Sequence, residues 1–106
     1  MVILTMTGAT SGKIRKTPVM RIERDGTYVA VASFAGAPSH PAWYHNLVAN
    51  PEVRLQDGAQ VHRLRAREVF GEEKADAWKL AESRWPHFPA YRAKAGREIP
   101  VLVLEP

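Results

Sequence analysis

Two Asp-Gly pairs punctuate the chain, and each stands between short runs of strand-forming residues. They are Asp25-Gly26, between residues 18–23 and 27–33, and Asp57-Gly58, between residues 53–56 and 61–70. This dipeptide favours tight hairpin turns because glycine adopts the positive φ that such turns require. The two pairs therefore predict antiparallel hairpins and a fold built on a sheet of short strands.

Further strands are predicted at the two ends of the chain. Residues 2–6 are short, apolar and partly β-branched, and residues 99–104 form an unbroken apolar run. Such a run is typical of a strand that is buried on both faces, so we expect 99–104 to be central in the sheet. Residues 61–70 alternate, which predicts a strand with one wetter face.

Two helices are predicted between the strands. The first begins near His40 with Ser39 as its cap and ends at Asn50. The second covers residues 72–85, where aromatic and small residues recur at helical spacing, and Pro86 ends it. About six strands and two helices predict an α+β fold, a small barrel formed by residues 1–106 as one domain.

Composition narrows the class of protein. The chain has no cysteine, which excludes disulfides and thiolate chemistry and fits the reducing cytosol, so we expect a cytoplasmic protein. No apolar run approaches the roughly 20 residues that span a bilayer. The first apolar run follows Met1 directly, from which we expect that an N-terminal segment is missing. A net charge of +4 favours an anionic partner: nucleic acid, phospholipid or a phosphorylated cofactor.

A glycine-rich basic loop over residues 8–16 is the most informative stretch for function. Its glycines let backbone N–H groups approach an anion, while its side chains supply charge and hydroxyl donors. Those side chains, with the hydroxyl that follows them, are Thr10, Ser11, Lys13, Arg15, Lys16 and Thr17. The loop is not a Walker motif, because Ile14 follows the lysine. It is either a phosphate cradle or a solvated surface turn.

Two aromatic groups offer further binding surfaces. The helix start near residues 39–42 presents free N–H groups that suit an anion, although Trp43 and Leu47 alone would suit a core. Residues 86–92 are predicted to form an aromatic loop after the second helix. Trp85, Phe88 and Tyr91 are separated by prolines, and they either contact a planar ring or quinone or form a packed lid on the barrel. His40 and His45 lack the spacing of a metal pair on one helix face, so no metal site is predicted.

Several of these segments resemble the deazaflavin (F420)-dependent nitroreductase family. The likeness rests on GATSGKIRKTP at 8–18, on PAWYHNLVANP at 41–51, and on the C-terminal IPV and LEP at 99–101 and 104–106. It covers nearly the whole chain. The resemblance implies a split β-barrel, like that of FMN-binding proteins, which binds coenzyme F420.

The resemblance also implies roles for particular residues. The coenzyme would contact Ala9, Thr10, Ser11, Lys13, Arg15, Lys16, Thr17, Pro18, Val19, Met20, Val31, Ala32, Ser33, Phe34, Ala42, Trp43, Tyr44, His45 and Asn46. The substrate would contact Trp85, Phe88 and Tyr91, and its proton would come from Ser33, Tyr91 or solvent. Phe34 stands where relatives often have lysine, and Trp85 and Phe88 stand where a nitroreductase of this family has tyrosines. The substrate end is therefore bulkier and less polar.

The function implied is hydride transfer from the reduced deazaflavin to a quinone or a nitroaromatic compound. A non-catalytic carrier of F420 and an FMN-binding oxidoreductase on the same barrel are alternatives. A nucleic-acid module ranks last, because the cations lie early in the chain and the aromatics late, without interleaving. Peripheral association with the inner face of the membrane through an N-terminal segment is a further expectation, and the oligomeric state stays open.

Overall fold

The computed structural model describes residues 1–33 and 36–106. These residues form seven strands and three helices, which in chain order are β1 (Val2–Thr7), β2 (Ile14–Val19), β3 (Glu23–Arg24), β4 (Thr27–Val31), α1 (Ala42–Ala49), β5 (Glu52–Asp57), β6 (Gln60–Val69), α2 (Gly71–Arg84), α3 (Phe88–Ala95) and β7 (Val101–Glu105). The strands form one antiparallel sheet in the order β2-β1-β5-β6-β7-β4-β3. The α+β prediction is confirmed.

Both predicted hairpins are present. Asp25 and Gly26 join β3 to β4 with φ values of 55° and 82°. Gly58 joins β5 to β6 at a φ of 61°, and Asp57 lies opposite Gln60 across the turn. Positive φ at these positions matches the right-handed twist of the flanking strands, which is why Asp-Gly predicted them.

The sheet curls around one core and packs a second core on its outer side. Val2 of β1 and Tyr28 of β4 lie four strands apart in the sheet order, yet both belong to the inner cluster with Leu47 of α1. The outer cluster joins β4 and β7 to α2 and α3 through Trp78 and Phe88. Alternate side chains of β7 enter the two clusters, so the central position predicted for this strand is confirmed.

The region after the glycine loop differs from the prediction. A single strand was expected over residues 18–23, but β2 begins at Ile14 and β3 covers only Glu23–Arg24. Ile14 pairs with Thr7, so the hairpin partner β1 decides where β2 starts. The loop is consequently shorter than residues 8–16, and Arg15 and Lys16 lie in a strand.

Two helix predictions were also wrong in detail. Ser39 does not cap α1: the N-cap is Pro41, with φ −67°, and no side chain caps the helix. The stretch 86–92 was expected to be a loop, but α3 covers Phe88–Ala95. Pro89 fits its first turn, where a missing N–H breaks no helical hydrogen bond, and Gly96 ends the helix at a φ of 64°.

Candidate functional site

A cleft of about 950 Å³ lies between the glycine loop, β2, the start of α1 and the aromatic residues around α3. It brings together most of the site residues predicted from the sequence. Those that line it are Ala9, Thr10, Ser11, Arg15, Lys16, Thr17, Pro18, Val19, Met20, Val31, Ser33, Ala42, Trp43, Asn46, Trp85, Phe88 and Tyr91. Segments far apart in the chain therefore meet at one surface, as the predicted site requires.

The free edge of β2 forms one wall of the cleft. All six residues from 15 to 20 line it, although alternate side chains of a strand point to opposite faces. A strand can line a cleft in this way when it presents its edge, and β2 is an end strand that, within the described residues, pairs with β1 alone. Its outer N–H and C=O groups are left unpaired by the sheet and can hydrogen-bond a flat polar ring.

Local hydrogen bonds shape the glycine loop at one end of the cleft. The Gly8 N–H donates to the Lys13 carbonyl at 2.8 Å, and the Lys13 N–H donates to Ser11 Oγ at 3.2 Å. A Cβ on Gly8 would lie 2.9 Å from Ser11 Oγ and 3.3 Å from the Lys13 carbonyl oxygen, so a larger residue here would displace the hydroxyl that accepts from Lys13. The Ala9 N–H donates to Asn46 Oδ1 at 2.9 Å, which ties the loop to α1.

The charge of the cleft is positive. Arg15 and Lys16 are its charged lining residues among the described part of the chain, and no carboxylate lines it there. Arg15 lies opposite Met6 of β1, whose side chain is buried, so Arg15 is on the inner face of the curled sheet. The geometry favours an anionic group at this end.

Aromatic side chains form the opposite end. Phe88 is buried, with its ring centroid 6.0 Å from that of Trp78 and 6.1 Å from that of Tyr91. Trp85 and Tyr91 are half-buried and present surface to the cleft. Phe88 therefore packs the outer core, whereas Trp85 and Tyr91 form a wall, and their contact with a ring or quinone stays a prediction.

Ser33 is the polar residue near this aromatic wall. It follows β4, is only 6% exposed, and lines the cleft. Its carbonyl accepts a hydrogen bond from the Gly36 N–H at 2.9 Å. Phe34, the neighbouring predicted contact, lies outside the described residues.

Four predicted coenzyme contacts do not line the cleft. Lys13 is exposed in the turn, Ala32 is buried, and His45 is exposed on α1. The Tyr44 hydroxyl donates to Glu68 Oε1 at 2.7 Å, and this hydrogen bond, with burial, raises the pKa of Tyr44 to about 12. The bond joins α1 to β6, so the geometry gives Tyr44 a structural part, and its role toward a coenzyme stays a prediction.

The cleft also includes residues that sequence reasoning did not select. Met1, Met6 and Pro41 line it. The alternation of β1 places Met6 on the inner face, and the start of α1 places Pro41. In the described part of the chain, no cluster of His, Asp and Glu has the makings of a metal site.

Comparison with known proteins identifies the family. The family model for the F420H(2)-dependent quinone reductases matches residues 1–106. The chain belongs to this family. The resemblance inferred from the glycine loop and the PAWYHNLVANP block is thereby confirmed, and the family description names quinones as substrates rather than nitroaromatic compounds.

Individual members of the F420H(2)-dependent quinone reductase family agree in sequence and fold. An F420H(2)-dependent quinone reductase of Mycobacterium tuberculosis is 33% identical over 105 residues, which is 96% of this chain and 70% of the relative. The solved structure of an F420-H2 dependent reductase is 48% identical, covers 98% of this chain and 92% of its own, and superimposes with a TM-score of 0.92. The predicted split β-barrel is confirmed by that match.

Another solved structure, described as a domain-swapped dimer, is also 48% identical with a TM-score of 0.92 and covers 98% of this chain and 78% of its own. None of the helices described for this chain has the length and apolar character needed to cross a membrane.

Proposed function

We propose that the cleft binds coenzyme F420 and that the protein reduces a quinone with it. The proposal rests chiefly on one observation, the polarity of the cleft. A glycine loop with Arg15 and Lys16 lies at one end, and Trp85 and Tyr91 lie at the other. A ligand with an anionic tail and a flat ring matches that arrangement, and F420 has both.

The tail would lie at the loop. The N–H groups of Thr10 and Ser11 and the cations of β2 can bind a phosphodiester through charge-assisted hydrogen bonds. Asn46 supports this function because it accepts a hydrogen bond from the Ala9 N–H and so ties the loop to α1. The fit of these residues to a phosphate is chemical: they are donors and cations with no neighbouring carboxylate on the cleft wall described.

The ring would lie along the edge of β2. Unpaired backbone groups there can bind the polar edge of a heterocycle, while Val31 and Trp43 offer apolar surface to its faces. When bound, the deazaflavin supplies a hydride, because carbon replaces nitrogen at the reactive position. The protein holds ring and quinone in contact, and Trp85 with Phe88 excludes water from that contact.

Hydroxyl groups of Ser33 and Tyr91 are the proposed proton donors to the reduced quinone oxygen. We predict that Tyr91→Phe lowers kcat for quinone reduction about 100-fold, the lower end of the range for loss of a general acid, while coenzyme affinity changes little. Ser33→Ala is the parallel variant, and solvent becomes the donor if both variants keep wild-type kcat. Stopped-flow oxidation of the reduced coenzyme measures the step.

Anaerobic turnover of menadione with reduced F420 tests the function. The proposal expects oxidation of F420H2 that depends on both protein and quinone. Tight coenzyme binding without turnover would instead support the carrier, and turnover with reduced FMN but not F420H2 would support the FMN-dependent oxidoreductase. A nitroimidazole in parallel tests the alternative acceptor, for which we expect slower reduction because the substrate end is apolar.

The same proposal includes the partners and the location of the protein. A cytoplasmic protein that acts on a lipid-soluble quinone would work near the inner face of the membrane. Co-sedimentation with anionic phospholipid vesicles tests peripheral association, and sedimentation velocity gives the oligomeric state. Binding to neutral and anionic vesicles alike, or to neither, would remove an electrostatic association.

A further inference from the structure

Arg97 holds the chain segment behind the cleft through an unusually dense set of hydrogen bonds. It follows α3 and precedes β7, and it is half-buried. Its Nη2 donates to the carbonyls of Ala32 and Ser33, each at 3.2 Å, and to that of Ser39 at 3.0 Å. Nε donates to the Ala37 carbonyl at 3.1 Å, and Nη1 lies 2.8 Å from His40 Nδ1.

These contacts span two stretches of chain that lead into the cleft wall. Residues 32–33 carry Ser33, and residues 37–40 run directly into Pro41 and Ala42 at the start of α1. One planar guanidinium therefore fixes both stretches relative to β7. The Ala32 N–H also donates to the Pro100 carbonyl at 2.9 Å, so residue 32 is anchored on both sides.

Arg97 is used here for backbone recognition rather than for an ion pair. Within the described residues it forms no salt bridge, and its partners are carbonyl dipoles and an imidazole. A lysine offers three donors without a planar fork and cannot reproduce this set of bonds.

We infer that Arg97, completed by a neutral His40, is the positioning residue that sets the Ser33 and Pro41 walls of the coenzyme cleft. The effect on coenzyme binding rests on the proposed function. The set of hydrogen bonds that Arg97 forms, called the clamp below, is a property of the protein alone. Arg97 contacts none of the reacting groups that were proposed. It acts through Ser33 and through the start of α1, where the coenzyme is expected to bind.

His40 must be neutral to take part. A guanidinium N–H can only donate, so Nδ1 of His40 accepts and the ring proton is on Nε2. Burial, then Arg97 and then His45, lower the pKa of His40, and Glu68 opposes them. The Tyr44 ring, with its centroid 4.9 Å from that of His40, is uncharged because its own pKa is about 12.

The contact between Arg97 and His40 depends on pH. A lowered pKa keeps His40 neutral at neutral pH, so the clamp is complete there. As the pH falls through that lowered pKa, His40 gains a proton and faces a guanidinium as a second cation. The clamp then loses one of its contacts, and coenzyme affinity falls in acid rather than in base.

Four variants test the inference. Arg97→Gln removes the clamp, and Arg97→Lys keeps the charge without the fork. His40→Asn offers an acceptor that does not titrate. Arg63→Gln is the matched control, since it removes one positive charge from an exposed residue of β6 that does not line the cleft. Amide hydrogen exchange of residues 32–42 is measured without coenzyme, and F420 affinity by fluorescence at about pH 8 and about pH 5.

We expect both Arg97 variants to exchange faster at residues 32–42 and to bind F420 about 10- to 100-fold more weakly, with a larger rise in coenzyme KM than fall in kcat. His40→Asn should flatten the loss of affinity that wild type shows in acid. Arg63→Gln should match wild type. If Arg97→Gln does not fold, Arg97→Lys and His40→Asn decide the question.

Wild-type exchange and affinity in the Arg97 variants that fold, or an unchanged acid dependence in His40→Asn, would overturn the inference. Failure of the proposed function is a different outcome. In that case wild type itself binds no F420, while Arg97→Lys still speeds exchange at residues 32–42.

Discussion

Arg15 and Lys13 carry the same charge two positions apart, but they lie differently against the cleft. Arg15 is on β2 and lines it, whereas Lys13 is exposed in the preceding turn and does not. Sequence alone grouped them, because a loop assignment for residues 8–16 gave no direction to either side chain. The pairing of β2 with β1 separates them.

This difference gives a matched pair of variants. Arg15→Gln should weaken F420 binding by about 1–3 kcal/mol, the loss expected for one charge-assisted hydrogen bond. Lys13→Gln removes the same charge and should leave affinity close to wild type, since its contribution is a screened long-range one. Fluorescence titration at low and high salt measures both. An equal loss in the two variants would contradict the assignment of Arg15 to the cleft.

Arg97 shows what residue-level reasoning on the sequence misses. Four of its acceptors are backbone carbonyls between 58 and 65 positions away. Every residue has a backbone carbonyl, so nothing in the sequence distinguishes this half-buried arginine from the exposed arginines. Residues of the glycine loop were found because glycine and hydroxyl side chains carry their chemistry in the sequence itself.

At the scale of elements, a side-chain hydrogen bond joins α1 to β6. The Tyr44 hydroxyl donates to Glu68, and Leu47 packs into the inner core beneath it. Tyr44→Phe removes the donor and leaves the half-buried Glu68 carboxylate without this partner.

We predict that Tyr44→Phe lowers the free energy of unfolding by about 1 kcal/mol, with coenzyme affinity unchanged. Urea denaturation and F420 titration of the same preparation measure the two quantities. His45→Phe serves as a control, because His45 is exposed and contributes no comparable bond to β6 in the described structure. Unchanged stability with weakened coenzyme binding would instead support the contact with coenzyme that the sequence predicted for Tyr44.

Elements were predictable where local chemistry decides them. The Asp-Gly turns and the apolar run of β7 are such cases, and the sequence predicted both correctly. The start of β2 depends on its pairing with β1. No residue of β2 is fully buried, so its sequence lacks the alternation of apolar and polar residues that marks a strand. The helix α3 was missed because Pro86 and Pro89 suggested a loop, although proline in a first turn is compatible with a helix.

At the scale of the whole molecule, the position of the cleft follows from the sheet order. β2 is an end strand, so its open edge remains available, and the chain brings the loop before it and the helices after β4 and β6 to that edge. The sequence located the residues through family motifs rather than through geometry. Their convergence on one cleft depends on strand order, which composition and periodicity do not specify.

The central claim is that this edge, with its cationic end, binds a deazaflavin in preference to a flavin. Titration of the protein with F420 and with FMN, followed by ring fluorescence, tests it most directly. The account predicts saturable binding of F420 that weakens in Arg15→Gln, and much weaker binding of FMN. Tighter binding of FMN, or no binding of F420, would contradict it.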